Sequence, residues 1–163
     1  MTIWADADSL PHQVRAILVR RNGKSVPNSK DPVVIHVQFV SCKKLPENCM
    51  EDPSLFIIVP QKQNAADDYI LAHAVPCDIV VTRDTLFAER ALMKNLFVLN
   101  DRGTIWTKDT IKERISQRNY AEMLRKAGVE NSGIFHGISK QEIKNFADAL
   151  DKIIITSYKS LCI

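Results

Sequence analysis

No Cys-x-x-Cys pair occurs in this chain. Its four cysteines, Cys42, Cys49, Cys77 and Cys162, are scattered, so a zinc ribbon or a dithiol redox centre has no support. The four histidines, His12, His36, His73 and His136, are equally isolated, which argues against a His-rich zinc site and leaves them without an assigned role. No apolar run approaches the ~20 residues of a membrane span. Internal repeats and low-complexity tracts are missing, and no signal peptide is evident. The expectation is a cytoplasmic protein with reduced thiols and no membrane contact.

What remains is ordinary in bulk. A chain of 163 residues, 45% apolar and 25% charged, fits one globular domain spanning residues 1–163. The net charge of +3 decides little, but its distribution is uneven. Arg15, Arg20, Arg21 and Lys24 form an acid-free group. Residues 102–126 hold seven Lys/Arg against three Asp/Glu, a local excess of +4. An anionic partner is compatible with this, although solvated helix faces have the same composition.

Residues 2–7 read as a strand in which Trp4, Asp6 and Asp8 share one side. Pro11 suits the first turn of a helix that Gly23 ends. Val33–Val40 reads as a second strand, and residues 41–54 as loop. Leu55–Val59 is nearly all apolar, as a central parallel strand would be. A helix follows over residues 65–74, a strand over Asp78–Thr82, a helix over Thr85–Lys94 and a strand over Leu96–Leu99. Then comes the turn Asn100–Gly103. Capping boxes at Thr110-x-x-Glu113 and Ser139-x-x-Glu142 begin two further helices. The first runs to Gly128, with Arg118 as the point where it could break; residues 129–138 are loop. Together these make a helical C-terminal tail over about residues 109–160. The alternation predicts an α/β fold, three layers α/β/α around a mostly parallel sheet.

Against that frame four aspartates stand out. Asp6, Asp8, Asp67 and Asp84 each follow a short strand or open a helix. In such a fold those positions lie along one edge of the sheet, where ligands bind. Each of Asp8, Asp67 and Asp84 alone is read more simply as a helix cap. Asp6 belongs to the strand itself and needs a partner, which Lys24 or Arg102 could supply. The joint pattern favours a hard divalent cation, Mg²⁺ or Mn²⁺, held by oxygen ligands. Such an ion can activate water and neutralise the leaving oxygen of a phosphodiester. Arg102 would contact substrate phosphate through its planar fork, or pair with Asp101 or a strand-end aspartate. Thr82 would hydrogen-bond a carboxylate, a bound water or substrate. Asp68 and Glu89 read as solvated helix charges. The basic stretch Lys108–Lys126 could follow a nucleic-acid backbone, while Trp4 and Trp106 read as core.

The motifs Asp6-Ala-Asp-Ser-Leu-Pro11, Ala65-Ala-Asp-Asp-Tyr-Ile70, Asp78-Ile-Val-Val-Thr-Arg-Asp84, Leu99-Asn-Asp-Arg-Gly103 and the tail Arg118–Gly128 occur in this order. In this they resemble the YaiI/YqxD family of uncharacterised bacterial proteins, over nearly the whole chain. Leu10 stands where that family has cysteine, Asp101 where it has proline and Phe87 where it has leucine. The family is similar to the PIN-like nuclease fold, which places acids at the ends of strands one and four and on an intervening helix. The resemblance implies a Mg²⁺/Mn²⁺-dependent ribonuclease or a related nuclease, RNA being favoured over DNA as substrate, with Asp6, Asp8, Asp67 and Asp84 as catalytic and metal-binding residues. Two other readings fit the same residues. A haloacid-dehalogenase-like phosphatase would use Asp6 as nucleophile and Asp8 as general acid. A PIN-like module would bind nucleic acid without catalysis. For assembly, a homodimer is the commonest default.

Overall fold

The computed structural model describes residues 1–27, 29, 32–44, 52–128 and 137–161. The elements run β1 (Thr2–Asp6), α1 (His12–Arg21), β2 (His36–Ser41), a 3₁₀ turn (Pro53–Leu55), β3 (Phe56–Ile58), α2 (Ala65–His73), β4 (Ile79–Val81), α3 (Thr85–Met93), β5 (Phe97–Leu99), β6 (Ile105–Trp106), α4 (Lys108–Lys126) and α5 (Lys140–Leu161). They build one six-stranded sheet in the order β3-β2-β1-β4-β5-β6. Every neighbouring pair is parallel except β5 with β6.

Two-residue alternation sorts the sheet's side chains into two cores. Ile3, Ala5, Val37, Phe39, Ile79, Val81 and Leu99 face Val14 and Leu18 of α1 and Phe146, Leu150, Ile153 and Ile154 of α5. Trp4, Val40, Val80 and Val98 face the other way. They meet Ala66 and Ile70 of α2, Phe87, Ala88 and Ala91 of α3, and Ile111 of α4. The result is the expected three-layer α/β/α arrangement. It also aims Asp6: two residues beyond Trp4, it belongs to the α2/α3 side of the sheet. At the opposite end of that face Asp78 is buried. Its carboxylate accepts from the Thr2 N–H at 2.8 Å, the Trp4 indole at 3.1 Å and the Val75 N–H at 3.1 Å, tying β1 to the start of β4.

Local expectations need four corrections. Val33 and Val34 are not part of β2. Residues 24–26 and 33–35 pair first with each other, through Ile35 N–H to Lys24 O at 2.8 Å and Val26 N–H to Val33 O at 2.9 Å. β3 is an edge strand rather than a central one, and its Ile58 is 48% exposed. α4 starts earlier than expected, capped by Thr107 in a box with Thr110, and continues unbroken through Arg118. The pairing strand β6 was not anticipated, because two residues carry no periodicity. The Ser139 box is as expected: the Ser139 N–H donates to the Glu142 carboxylate at 2.8 Å and the Glu142 N–H to Ser139 Oγ at 3.2 Å. Residues 45–51 of the first expected loop and 129–136 of the second lie outside the described residues, as do Cys49, His136 and Cys162.

The turn between β5 and β6 sets where α5 sits. Asn100 Oδ1 accepts from the N–H groups of Arg102 at 3.0 Å and Thr104 at 2.8 Å, and Gly103 takes φ +91°. A Cβ on Gly103 would lie 2.6 Å from the backbone carbonyl of Asn145 in α5. Gly103→Ala combines a left-handed backbone with that clash. It is expected to cost about 2–4 kcal/mol, read as a fall in Tm of roughly 5–15 °C. An unchanged Tm would mean that α5 does not rest on this turn.

Candidate functional site

The chain leaves β1 outward to β2 and β3, then returns to place β4 on the other side of β1. Strand order therefore reverses between β1 and β4, and in open α/β sheets the carboxyl ends at such a reversal are the usual ligand position. Asp6 is the last residue of β1, and Asp84 caps α3 just beyond β4. Asp67 lies in the first turn of α2, on the same side of the sheet as Asp6.

One hydroxyl joins the first two. Thr82 is 1% exposed. Its Oγ1 donates to Asp6 Oδ2 at 3.0 Å and accepts from the Asp84 N–H at 3.0 Å. Thr82 thus holds a carboxylate, one of the roles expected of it. Asp84 Oδ1 accepts from the N–H groups of Leu86 at 2.8 Å and Phe87 at 3.3 Å. Its Oδ2 makes no hydrogen bond among the described residues. Asp8 turns towards β2: its carboxylate accepts from the Ser41 hydroxyl at 2.8 Å and the Cys42 N–H at 2.6 Å.

The carboxylates feel one another. Burial pushes the Asp6 carboxyl above its ordinary range; the Ser9 and Thr82 hydroxyls oppose the shift, and the charges of Asp8 and Asp84 add to it. Asp67 is pushed up to about 6, first by burial and then by the charges of Asp6 and Asp84. Arg90 lowers it, but its guanidinium is bonded to Asp68 at 2.6 Å. Asp67 itself has no hydrogen bond to any described residue. The structure therefore brings Asp6, Asp67 and Asp84 into one electrostatic group, with Asp8 coupled to Asp6 at its margin.

Arg102 stands apart from this group. It pairs with Glu142 of α5 at 3.1 Å, while Arg83 takes Asp101 at 3.1 Å. Both line a polar groove with Thr85, Trp106 and Arg114. That groove continues past Asp84 to Arg118. Sequence pattern does not single out Arg83; its only signal is its place between Thr82 and Asp84. Arg114 and Arg118 are visible in the sequence as part of the basic stretch but not as residues of this edge.

An all-oxygen donor set of mutually repelling carboxylates suits a hard divalent cation. Among the described residues no three His, Cys, Asp or Glu side chains converge to cage an ion by themselves. Mg²⁺ does not require such a cage, since it keeps several waters and uses one or two carboxylates plus substrate phosphate.

The Asp67 shift has a stability consequence. A carboxyl whose folded pKa lies near 6, above its unfolded value, imposes no cost below about pH 4 and its full cost above about pH 6. Asp67→Asn removes that cost. Relative to wild type, the variant is expected to gain about 1–2 kcal/mol as pH rises from 4 to 7, after discount for partial exposure. Urea unfolding across that range reads the difference; a constant gap between the two proteins would show that Asp67 is not perturbed.

Comparison with known proteins agrees with the chain-long motif order. Residues 4–156 match the model of the "Uncharacterized BCR, YaiI/YqxD family". The UPF0178 protein of Treponema denticola is 33% identical over 161 residues, covering 98% of this chain and 95% of that one. The UPF0178 protein of Treponema pallidum is 33% identical over 155 residues, 93% of this chain and 80% of its own. The relative from Photobacterium profundum is 31% identical over 159 residues, 98% and 99%. No solved structure matches. The chain belongs to the YaiI/YqxD family.

Proposed function

We propose that this protein is a Mg²⁺- or Mn²⁺-dependent hydrolase of phosphodiester bonds in nucleic acid, RNA rather than DNA. The observation that carries the proposal is Asp67. It is a partly buried carboxyl with no hydrogen-bond donor among the described residues, raised to about 6 beside Asp6 and Asp84. Folding holds these charges together against their repulsion, and a cation would relieve it. The preference for RNA rests on the resemblance of the aspartate pattern to PIN-like nucleases.

Asp6 and Asp84 would hold the ion, with Asp67 and Asp8 acting on it directly or through water. When bound, such an ion supplies a nucleophilic water at neutral pH and a counter-charge for the leaving oxygen. The chain's own residues do the positioning. Thr82 fixes the Asp6 carboxylate and the start of α3 together. The α3 cap engages Asp84 Oδ1 and leaves Oδ2 without a hydrogen bond among the described residues. The arginines beside it offer planar donors to phosphate. A second reading, a nucleic-acid-binding module without catalysis, draws support from the basic groove lined by Arg83, Arg114 and Arg118.

Asp84→Asn separates these readings cleanly, because Asn caps a helix about as well as Asp while losing the charge. With Mn²⁺ at a hundredfold over its dissociation constant, wild type should gain about 2.7 kcal/mol, a Tm rise of roughly 5–10 °C. The variant should melt at or above the metal-free wild type and respond little to the ion. Mn²⁺-dependent cleavage of an RNA oligonucleotide should disappear in folded Asp6→Asn. Cleavage equal to wild type in that variant would sink the hydrolase reading. A cation-insensitive melt in both proteins, with RNA still bound, would leave the binding module.

A further inference from the structure

We propose that Arg83, Arg102, Arg114 and Arg118 form a phosphate-binding groove for a single nucleic-acid strand, with Trp106 as a base-stacking wall. The inference rests on the reading of the acidic edge as a nucleic-acid site, and adds where the strand lies and in what form. Two connected depressions carry it, of about 310 and 370 Å³. They share Arg83, Thr85 and Arg114. One extends to Asp101, Arg102 and Trp106; the other opens at Asp84 and Arg118.

The charge arrangement along this groove is graded. At the far end Arg83 and Arg102 are matched by Asp101 and Glu142, each at 3.1 Å. Nearer Asp84 the balance fails. Arg114 and Arg118 make no salt bridge among the described residues, and Arg118 donates instead to the Thr85 hydroxyl at 3.2 Å. These two guanidinium groups lie one turn apart on α4, so their Cβ atoms are about 5–6 Å apart on one face. That separation is of the order of the step between successive phosphates on a strand. The groove's anion-seeking end is thus next to the carboxylate that would act on the scissile phosphate. The Asp84 carboxylate lines the same depression. A phosphate seated there would be repelled by it unless a cation stood between, which is the arrangement the acidic edge provides.

Trp106 favours a single strand. Its indole is half-buried: part packs on the α2/α3 core and part lines the groove beside Arg102 and Arg114. The open part of an indole among guanidinium groups can stack an unpaired base, and every base has a face to offer. In a duplex the bases are already stacked on one another, and that wall would have no partner.

Binding of a fluorescein-labelled oligouridylate, read by polarisation in EDTA with hydrolysis off, tests this. Arg114→Ala and Arg118→Ala should each weaken binding and flatten the plot of log K against log salt by about 0.7. Trp106→Leu should lose roughly tenfold affinity at fixed salt with the slope unchanged. Trp106→Phe keeps an aromatic wall and should restore most of it. Asp84→Asn should bind at least as tightly as wild type. Affinity and slope unaffected by both arginine variants would overturn the groove. Equal binding of a duplex, lost in the same variants, would overturn the single-strand assignment. Groove variants that lose binding in a protein indifferent to Mn²⁺ would uphold the groove and reject hydrolysis, so the two failures are distinguishable.

Discussion

A single buried hydroxyl ties this edge of the sheet together. Thr82 Oγ1 donates to the carboxylate ending β1 and accepts the N–H that begins the α3 cap. Because β1 and β4 are the strands between which the order reverses, that bond joins their carboxyl ends. It fixes where Asp6 and Asp84 stand relative to each other, and hence the field that Asp67 meets from α2. Everything else in the fold serves to hold those strand ends in register. Asp78 does so from the opposite end of β1, and the two cores from either face.

Placing three carboxyls here works against stability. Each could be relieved by a donor, and Asp6 and Asp84 are; Asp67 is not, among the described residues. Folded proteins pair nearly all of their buried polar groups, so an unrelieved acid beside two others is where function is expected to reside. The basic groove beginning at Asp84 complements it in sign. An acidic edge alone would repel a phosphate, and an arginine groove alone would bind one without acting on it. In the proposed reading their adjacency would join the two capacities on one surface.

Much of this was legible from the chain. Alternation at Trp4 and Asp6 placed both on one side of β1, and the side shared with α2 and α3 followed from the fold. The helix from Thr85 and the Ser139 box were readable because cap chemistry is local. What escaped was set by partners distant in sequence. β3 reads as central because Phe56 and Ile57 are apolar, yet its place is decided by which strands the crossovers reach. Val33 and Val34 have strand propensity and use it on residues 24–26 rather than on the sheet. Asp8, alike in sequence to Asp6, is turned away by Ser41 at the end of β2 and Cys42 just beyond it, thirty-odd residues on. Arg102 goes to Glu142 of α5 for the same reason. The capping box at Thr110 was a near miss of one turn, since Thr107 precedes it and offers the same side-chain oxygen.

The central claim is that the Asp67 proton and a divalent cation compete for one place. Metal binding to a protonated carboxyl must release its proton. Calorimetric titration of Mn²⁺ at pH 6, in buffers of differing ionisation enthalpy, counts that proton directly. About half a proton should be released per ion at pH 6 from Asp67, falling towards zero at pH 8, with Asp67→Asn releasing less than wild type at pH 6. Binding without pH-dependent proton release, or no binding at all, would contradict the account.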